Sequence, residues 1–143
     1  MRRSRASRMN GMAIEAAVRR FYRAREEGEL AACLAVFRDD AVVQYAGSPE
    51  TSAFARTVEG IDALRVVFHD FIGLWNFEHV ELASVTAGDD RVAVHVVADV
   101  RFRISEESYR TELLDLWTFD DAARATRLVE LADTALVQNI VGP

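Results

Sequence analysis

The sequence predicts a single α+β domain in which three N-terminal helices pack on a curved, mostly antiparallel sheet. Apolar residues recur at helical spacing in the first half of the chain, whereas the second half consists of extended segments joined by short polar links. Half of the 143 residues are apolar and the two prolines lie far apart. The chain can therefore bury one sizeable core without a second domain.

Three segments have the periodicity of helices. The first spans residues 13–27 and is followed by Gly28, a typical left-handed helix cap. The second spans residues 30–37, so these two helices should form a tight corner. The third, residues 60–75, has the cleanest apolar stripe and should form one wall of the core.

Extended segments account for most of the remaining chain. A valine-rich strand is expected at residues 41–46, followed by a loop at 47–59 that is long enough to rim a pocket. Four further strands are expected at 77–87, 91–104, 108–119 and 126–133. Their links are short and polar, which predicts an antiparallel meander.

Composition argues against several classes of partner. The net charge is −6, and an acidic excess repels nucleic-acid phosphates, so we expect no nucleic-acid partner. No segment approaches transmembrane length, so we expect no membrane partner. The single cysteine, Cys33, agrees with a reducing compartment and a cytoplasmic protein. Four arginines fall in residues 1–10, which we expect to form a disordered basic arm ahead of one domain at 11–143.

Asp115 is the most informative candidate site residue. Strand alternation places it on the same face as Leu113 and Trp117, an apolar stripe. Loss of hydration there would raise its pKa and favour a neutral carboxyl that donates a hydrogen bond. An acid at a pocket mouth, hydrated or paired with an arginine, explains the same pattern, and both interpretations stay open.

Other polar residues are weaker candidates. On the strand 91–104, alternation places His95 and Asp99 opposite the apolar face, which favours a structural or interfacial role. The three histidines and one cysteine lack a metal-ligand spacing, and no phosphate-binding loop or catalytic triad pattern is present, so we expect neither metal nor cofactor.

The order of elements and three short motifs resemble the nuclear transport factor 2-like superfamily, in particular its SnoaL-like and ketosteroid-isomerase-like branch. The resemblance spans roughly residues 13–142, and its motifs are EGEL at 27–30, VFRDDAVV at 36–43 and GIDAL at 60–64. It implies a cone-shaped α+β barrel with a small-molecule cavity between helices and sheet. It also implies a homodimer, which agrees with apolar residues on the outer sheet face, namely Val97, Leu114 and Leu116.

The resemblance to ketosteroid isomerases suggests roles for individual residues. Asp115 falls where that family carries a neutral aspartic acid. Tyr45 stands where the family has its general base, an aspartate, and Phe21, with Tyr22 next to it, stands where the family has its oxyanion tyrosine. Because two of three positions differ, steroid isomerase activity is not expected.

The end of the last strand resembles other members of the superfamily. Asp133 matches the acid/base aspartate of SnoaL-like polyketide cyclases, but it could equally cap a short C-terminal helix, and both interpretations stay open. Epoxide hydrolases of this fold use two aspartates and an arginine, and Asp99 and Asp133 of this chain could supply the two acids. Val97 stands where their arginine is required, which argues against that activity.

We therefore expect a cofactor-independent enzyme of the isomerase, cyclase or dehydratase kind that acts on a hydrophobic, oxygenated small molecule by general acid/base catalysis. Asp115 would donate to an oxygen, Tyr45 or Tyr22 would position it, and Asp133 would move the proton. Aromatic residues would line the substrate cavity: Phe21, Tyr22, Phe54, Trp75, Phe102 and Trp117. The alternative is a non-catalytic binding or accessory module, also dimeric, with the same cavity.

Overall fold

A computed structural model describes residues 4–142 of the chain. Helices α1 and α2 come first and are followed by two strands, a third helix, four strands and a short last helix. In chain order the elements are α1 Arg5–Glu27, α2 Leu30–Leu34, β1 Phe37–Tyr45, β2 Arg56–Glu59, α3 Ile61–Leu74, β3 Trp75–Ala87, β4 Arg91–Phe102, β5 Glu107–Phe119, β6 Ala125–Ala132 and α4 Thr134–Val141.

Helix α1 begins earlier than the sequence pattern predicts. Ser4 is its N-cap, and the Ser4 side chain accepts a hydrogen bond of 3.1 Å from the Ser7 backbone N–H. Residues 5–10, expected in a disordered arm, therefore form the first turns of α1, and the Asn10 side chain donates to the Asp89 carbonyl. Residues 1–3, which carry two of the four arginines, lie outside the described residues. At the other end Gly28, with φ of 71°, is the predicted left-handed cap.

The six strands form one curved, unclosed sheet in the order β2-β1-β6-β5-β4-β3. Strands β3 to β6 form the predicted antiparallel meander, whereas β1 pairs with β6 in parallel. Several predicted boundaries are wrong, including the start of β1, predicted at residue 41 and found at Phe37. Helix α2 ends at Leu34 because Phe37 already pairs with Ala125 of β6, and the predicted loop 47–59 ends in strand β2. Within residues 4–142, no helix combines the length and hydrophobicity needed to cross a lipid bilayer.

The core lies between the helices and the concave face of the sheet. On β4 the even-numbered residues from Val92 to Phe102 are buried, as the alternation predicts, so His95 and Asp99 point to the outer face. His95 contacts Glu112 across the outer face, with 2.8 Å between Nε2 and Oε1. The convex face also exposes Leu114, Leu116 and Leu131.

Candidate functional site

A cavity of about 130 Å³ opens between the helices and the concave face of the sheet. That is far more than one water molecule needs, so the cavity can admit a small organic molecule. Most of the lining is aromatic or aliphatic. The aromatic lining residues are Phe21, Tyr22, Tyr45, Phe54, Phe68, Phe71, Trp75, Phe77 and Tyr109, and the last helix adds Leu136, Val137 and Ile140.

Glu130 of β6 is the one carboxylate among the described residues that line the cavity. It is paired with Tyr45 of β1 on one side and with Asp115 of β5 on the other, so three polar residues lie in one row across the sheet. Burial raises the pKa of Glu130, while the Asp115 carboxyl and the positive charge of Arg25 act in the opposite direction. The site thus contains an acid that keeps its proton to a higher pH than usual.

Asp115 is fully buried and does not line the cavity. Its Oδ2 atom accepts a 2.5 Å hydrogen bond from the Tyr22 hydroxyl, whereas Oδ1 has no hydrogen-bond partner among residues 4–142. Burial, followed by the negative charge of Glu130, raises the pKa of Asp115 well above its ordinary value, and the Tyr22 hydrogen bond only partly opposes this. The carboxyl is therefore neutral over a wider pH range than that of an ordinary aspartate.

Trp117, Tyr22 and Asp115 form a hydrogen-bonded chain in which Tyr22 lines the cavity and the other two residues lie behind it. The Trp117 indole N–H donates to the Tyr22 oxygen at 3.1 Å, and Tyr22 in turn donates to Asp115. Burial, and then the charge of Asp115, raises the pKa of Tyr22. Each hydroxyl and indole hydrogen in the chain has a partner, so the chain holds the Asp115 side chain in one orientation.

Tyr45 lines the cavity next to Glu130, with its ring edge-on to Phe71 at 5.0 Å between centroids. Burial, followed by the negative charge of Glu130, raises the pKa of Tyr45 well above its ordinary value. The side chain is therefore a neutral phenol at neutral pH. It can donate a hydrogen bond to a ligand oxygen, but it cannot serve as the general base.

Arg25 of α1 is the one cation among the described residues that line the cavity. Its Nη2 atom donates to the carbonyls of Phe71 at 3.3 Å and Trp75 at 3.1 Å, near the end of α3. The guanidinium lies 4.2 Å above the centroid of the Phe77 ring. Burial lowers the pKa of Arg25, although the group remains a cation at neutral pH.

The structure separates the residues that the sequence pattern grouped together. Of the six predicted aromatic lining residues, Phe21, Tyr22, Phe54 and Trp75 line the cavity. Trp117 and Phe102 do not. Trp117 is 1% exposed and donates to Tyr22, and Phe102 packs against Trp75 with 4.6 Å between ring centroids. Both belong to the packing behind the lining.

Asp133 is not in the cavity lining. It is exposed at the N-terminus of α4, where its Oδ1 accepts a 3.0 Å hydrogen bond from the Leu136 backbone N–H. In the structure Asp133 is therefore a helix cap, because its carboxylate accepts from an N–H that has no partner within the helix. The expected proton-transfer role of Asp133 has no support in this geometry.

Sequence reasoning missed Glu130 and Arg25, although both had a usable signal. Glu130 alternates with Leu128 and Ala132 on β6, the same pattern that singled out Asp115. Arg25 follows Phe21 by four residues and therefore lies on the apolar face of α1. The part of the chain that the structure describes brings together no group of three or more histidine, cysteine, aspartate or glutamate side chains suited to a metal ion.

Comparisons with known proteins agree with this architecture. The family profile of the SnoaL-like domain matches residues 18–128. A search of curated protein sequences finds no match. Among solved structures, a candidate isomerase from Bacillus subtilis aligns with a TM-score of 0.83 at 17% identity, covering 93% of this chain and 95% of that chain.

Two further similar structures belong to proteins named for other activities. A candidate polyketide cyclase from Xanthomonas campestris pv. campestris has a TM-score of 0.76 at 15% identity, over 93% of this chain and 99% of that one. An LEH-like epoxide hydrolase from M. tuberculosis has a TM-score of 0.71 at 16% identity, over 92% and 97%. At these identities the likeness establishes the fold alone.

Proposed function

Because the chain belongs to the SnoaL-like domain family of the nuclear transport factor 2-like superfamily, we propose that it is a cofactor-independent enzyme that acts on a hydrophobic, oxygenated small molecule. The reaction would be of the isomerase, cyclase or dehydratase kind, carried by general acid/base catalysis. The observation that carries the proposal is the Glu130 carboxyl, which lines an otherwise mostly apolar cavity and has a raised pKa. Glu130 takes the role that the resemblance to SnoaL-like polyketide cyclases implied for Asp133.

The proposed chemistry is proton transfer next to a carbonyl. Glu130 as the carboxylate removes a proton from a substrate carbon, and the electron pair of that C–H bond moves onto the carbonyl oxygen as an enolate. The Tyr45 hydroxyl donates a hydrogen bond to the oxygen and stabilises it as its charge develops. Glu130 then returns the proton to carbon or oxygen, so that no external oxidant or reductant is needed.

Asp115 is a positioning residue in this scheme. It does not line the cavity, but it pairs with Glu130 across the β5–β6 ladder and its carboxyl lowers the pKa of Glu130. A neutral Asp115 beside Glu130 avoids placing two negative charges next to one another in a buried environment. The Tyr22 hydroxyl keeps that neutral carboxyl in place.

The test is Glu130→Gln, which keeps the shape of the side chain and removes the acid/base group. With a substrate found by screening small cyclic ketones and hydroxyketones, we expect turnover to fall by roughly 10²- to 10⁴-fold while substrate binding stays within a few-fold. The matched control is Glu112→Gln on the exposed outer face. Unchanged turnover in Glu130→Gln would refute the proposal.

A non-catalytic binding module is the second candidate. It is favoured by one observation, namely that only one carboxylate among the described residues reaches the cavity while Asp115 and Asp133 do not. If small ketones bind and none is turned over, this candidate replaces the enzyme. Trp75→Ala should then be the variant that costs most affinity, because it removes apolar contact area from the cavity wall.

We also propose that the outer sheet face forms a homodimer. Leu114, Leu116 and Leu131 are each about 41–42% exposed on this face, which is unusual for large apolar side chains on neighbouring strands. Analytical ultracentrifugation should find a dimer at micromolar concentration and a monomer for Leu116→Glu. The control is Ile104→Glu, an exposed apolar residue in the β4–β5 turn, which should leave the dimer intact.

A further inference from the structure

We infer that the ligand of this cavity carries a carboxylate, which Arg25 binds, and that its apolar part lies among the aromatic side chains. This inference deepens the proposed function and rests on it for the cavity being a substrate site. It concerns recognition rather than catalysis, so it can be tested by binding alone.

The first argument is the set of hydrogen-bond donors that Arg25 leaves unused. A guanidinium has five N–H donors and no acceptor. Within residues 4–142 only Nη2 is engaged, by the carbonyls of Phe71 and Trp75, while Nε and Nη1 make no hydrogen bond. The hydrogen bonds to the end of α3 use the donors of Nη2, and those of Nε and Nη1 are left for a ligand.

The second argument is the charge. No carboxylate of the described residues lies within 4.0 Å of the Arg25 guanidinium, so the cation has no ion-pair partner there. Burial nevertheless lowers its pKa, which means that part of its hydration is lost. Glu130 acts on this cation through its charge but forms no salt bridge with it. A partly dehydrated cation outside any ion pair attracts an anion more strongly than a surface arginine does.

The third argument is the surroundings of the guanidinium. Phe77 covers one face of it at 4.2 Å, and Trp75, whose carbonyl it holds, belongs to a cluster of rings with Phe54 and Phe71. An anion at Arg25 therefore has apolar surface directly beside it. This arrangement suits an amphiphilic acid, in which a carboxylate is attached to a ring or a short hydrocarbon chain.

The probes are two matched pairs, 2-naphthoate with 2-naphthamide and 4-phenylbutyrate with 4-phenylbutyramide. Each pair has one shape and differs in charge. By isothermal titration calorimetry at pH 7 and low salt, we expect the acid of at least one pair to bind the wild-type protein about ten- to a hundredfold more tightly than its amide. In an NMR spectrum the Arg25 Nε–H resonance should shift with the acid and not with the amide.

The variants locate the effect on one side chain. In Arg25→Gln the preference for the acid should disappear, whereas Arg23→Gln, on the exposed side of the same helix, should keep it. If Arg25→Gln fails to fold because α3 loses its terminal hydrogen bonds, Arg25→Lys retains the charge and should retain part of the preference. The Nε–H shift of the wild-type protein does not depend on any variant.

The inference is overturned if neither acid is preferred by the wild-type protein, or if Arg25→Gln keeps the preference. Its failure is distinguishable from failure of the proposed function. Glu130→Gln should keep the preference for the acid, because Glu130 is not the group that binds it, even if turnover shows that Glu130 has no catalytic role.

Discussion

Replacing Asp115 by Asn should change how the stability of the fold depends on pH. Asp115 is fully buried and has one hydrogen-bonded oxygen, and burial raises its pKa well above the ordinary value. Asn keeps the shape of the side chain and an oxygen that accepts from Tyr22, but it cannot ionise. The variant thus removes one titration from the native state and leaves the packing nearly unchanged.

The direction follows from proton binding in the two states. In the unfolded chain an aspartate loses its proton near pH 3.9, whereas native Asp115 keeps it to a higher pH. Between these values the native state binds more protons, so the free energy of unfolding of the wild-type protein falls as the pH rises. Below that range the contribution of Asp115 is constant.

The magnitude for one group is about 1.4 kcal/mol per pH unit, or about 2.7 kcal/mol over two pH units inside the range. The free energy of unfolding of Asp115→Asn, measured relative to wild type, should rise by that amount as the pH rises. Urea unfolding followed by tryptophan fluorescence at four pH values from 4.5 to about 7.5 measures it.

The pKa of Glu130 is also raised, so the comparison needs a background without this second acid. In Glu130→Gln the negative charge that helps to raise the pKa of Asp115 is gone, and adding Asp115→Asn should give a shorter pH range with the same sign. The reasoning is refuted if the difference in unfolding free energy between wild type and Asp115→Asn is equal at the lowest and highest pH. It is also refuted if the free energy of unfolding of Asp115→Asn relative to wild type falls as the pH rises.

Three further predictions concern stability. Tyr22→Phe leaves the buried Asp115 carboxyl and the Trp117 indole N–H without their partner, so urea unfolding should show a loss of about 1–3 kcal/mol; a loss below 0.5 kcal/mol would mean that the hydrogen-bonded chain is not formed. Asp133→Ala should lose about 0.5–2 kcal/mol of local stability in α4, visible as faster hydrogen exchange there, whereas Asp133→Asn keeps the cap; equal exchange in both variants would contradict this. Gly28→Ala places an L residue at a φ of 71° and should lower the free energy of unfolding by about 1–2 kcal/mol. The control is Gly73→Ala inside α3, where an added Cβ meets no atom within 4 Å.

Much of the sheet was predictable from alternation. The buried face of β4 and the position of Asp115 on the apolar face of β5 follow from the period of two along a strand. The meander was predictable because its links are short and polar. The burial of Asp115 was open until the structure showed that its side chain has no exposed surface and accepts a hydrogen bond from Tyr22.

Other features required the three-dimensional structure. The start of α1 depends on the Ser4 cap and on a contact between Asn10 and the β3–β4 turn, which is remote in sequence. The choice between two roles for Asp133 depends on whether the chain continues as a helix. It does, and the side chain bonds to the first turn instead of reaching the cavity.

The sequence by itself determined the fold class, the faces of the strands and the apolar character of the cavity, because these depend on periodicity and on residues close together in the chain. Only the tertiary structure decided which polar groups meet in the cavity. The parallel pairing of β1 with β6 puts Tyr45 beside Glu130, and the packing of α1 over the end of α3 brings Arg25 in. Such pairings join segments far apart in sequence, and no local pattern specifies them.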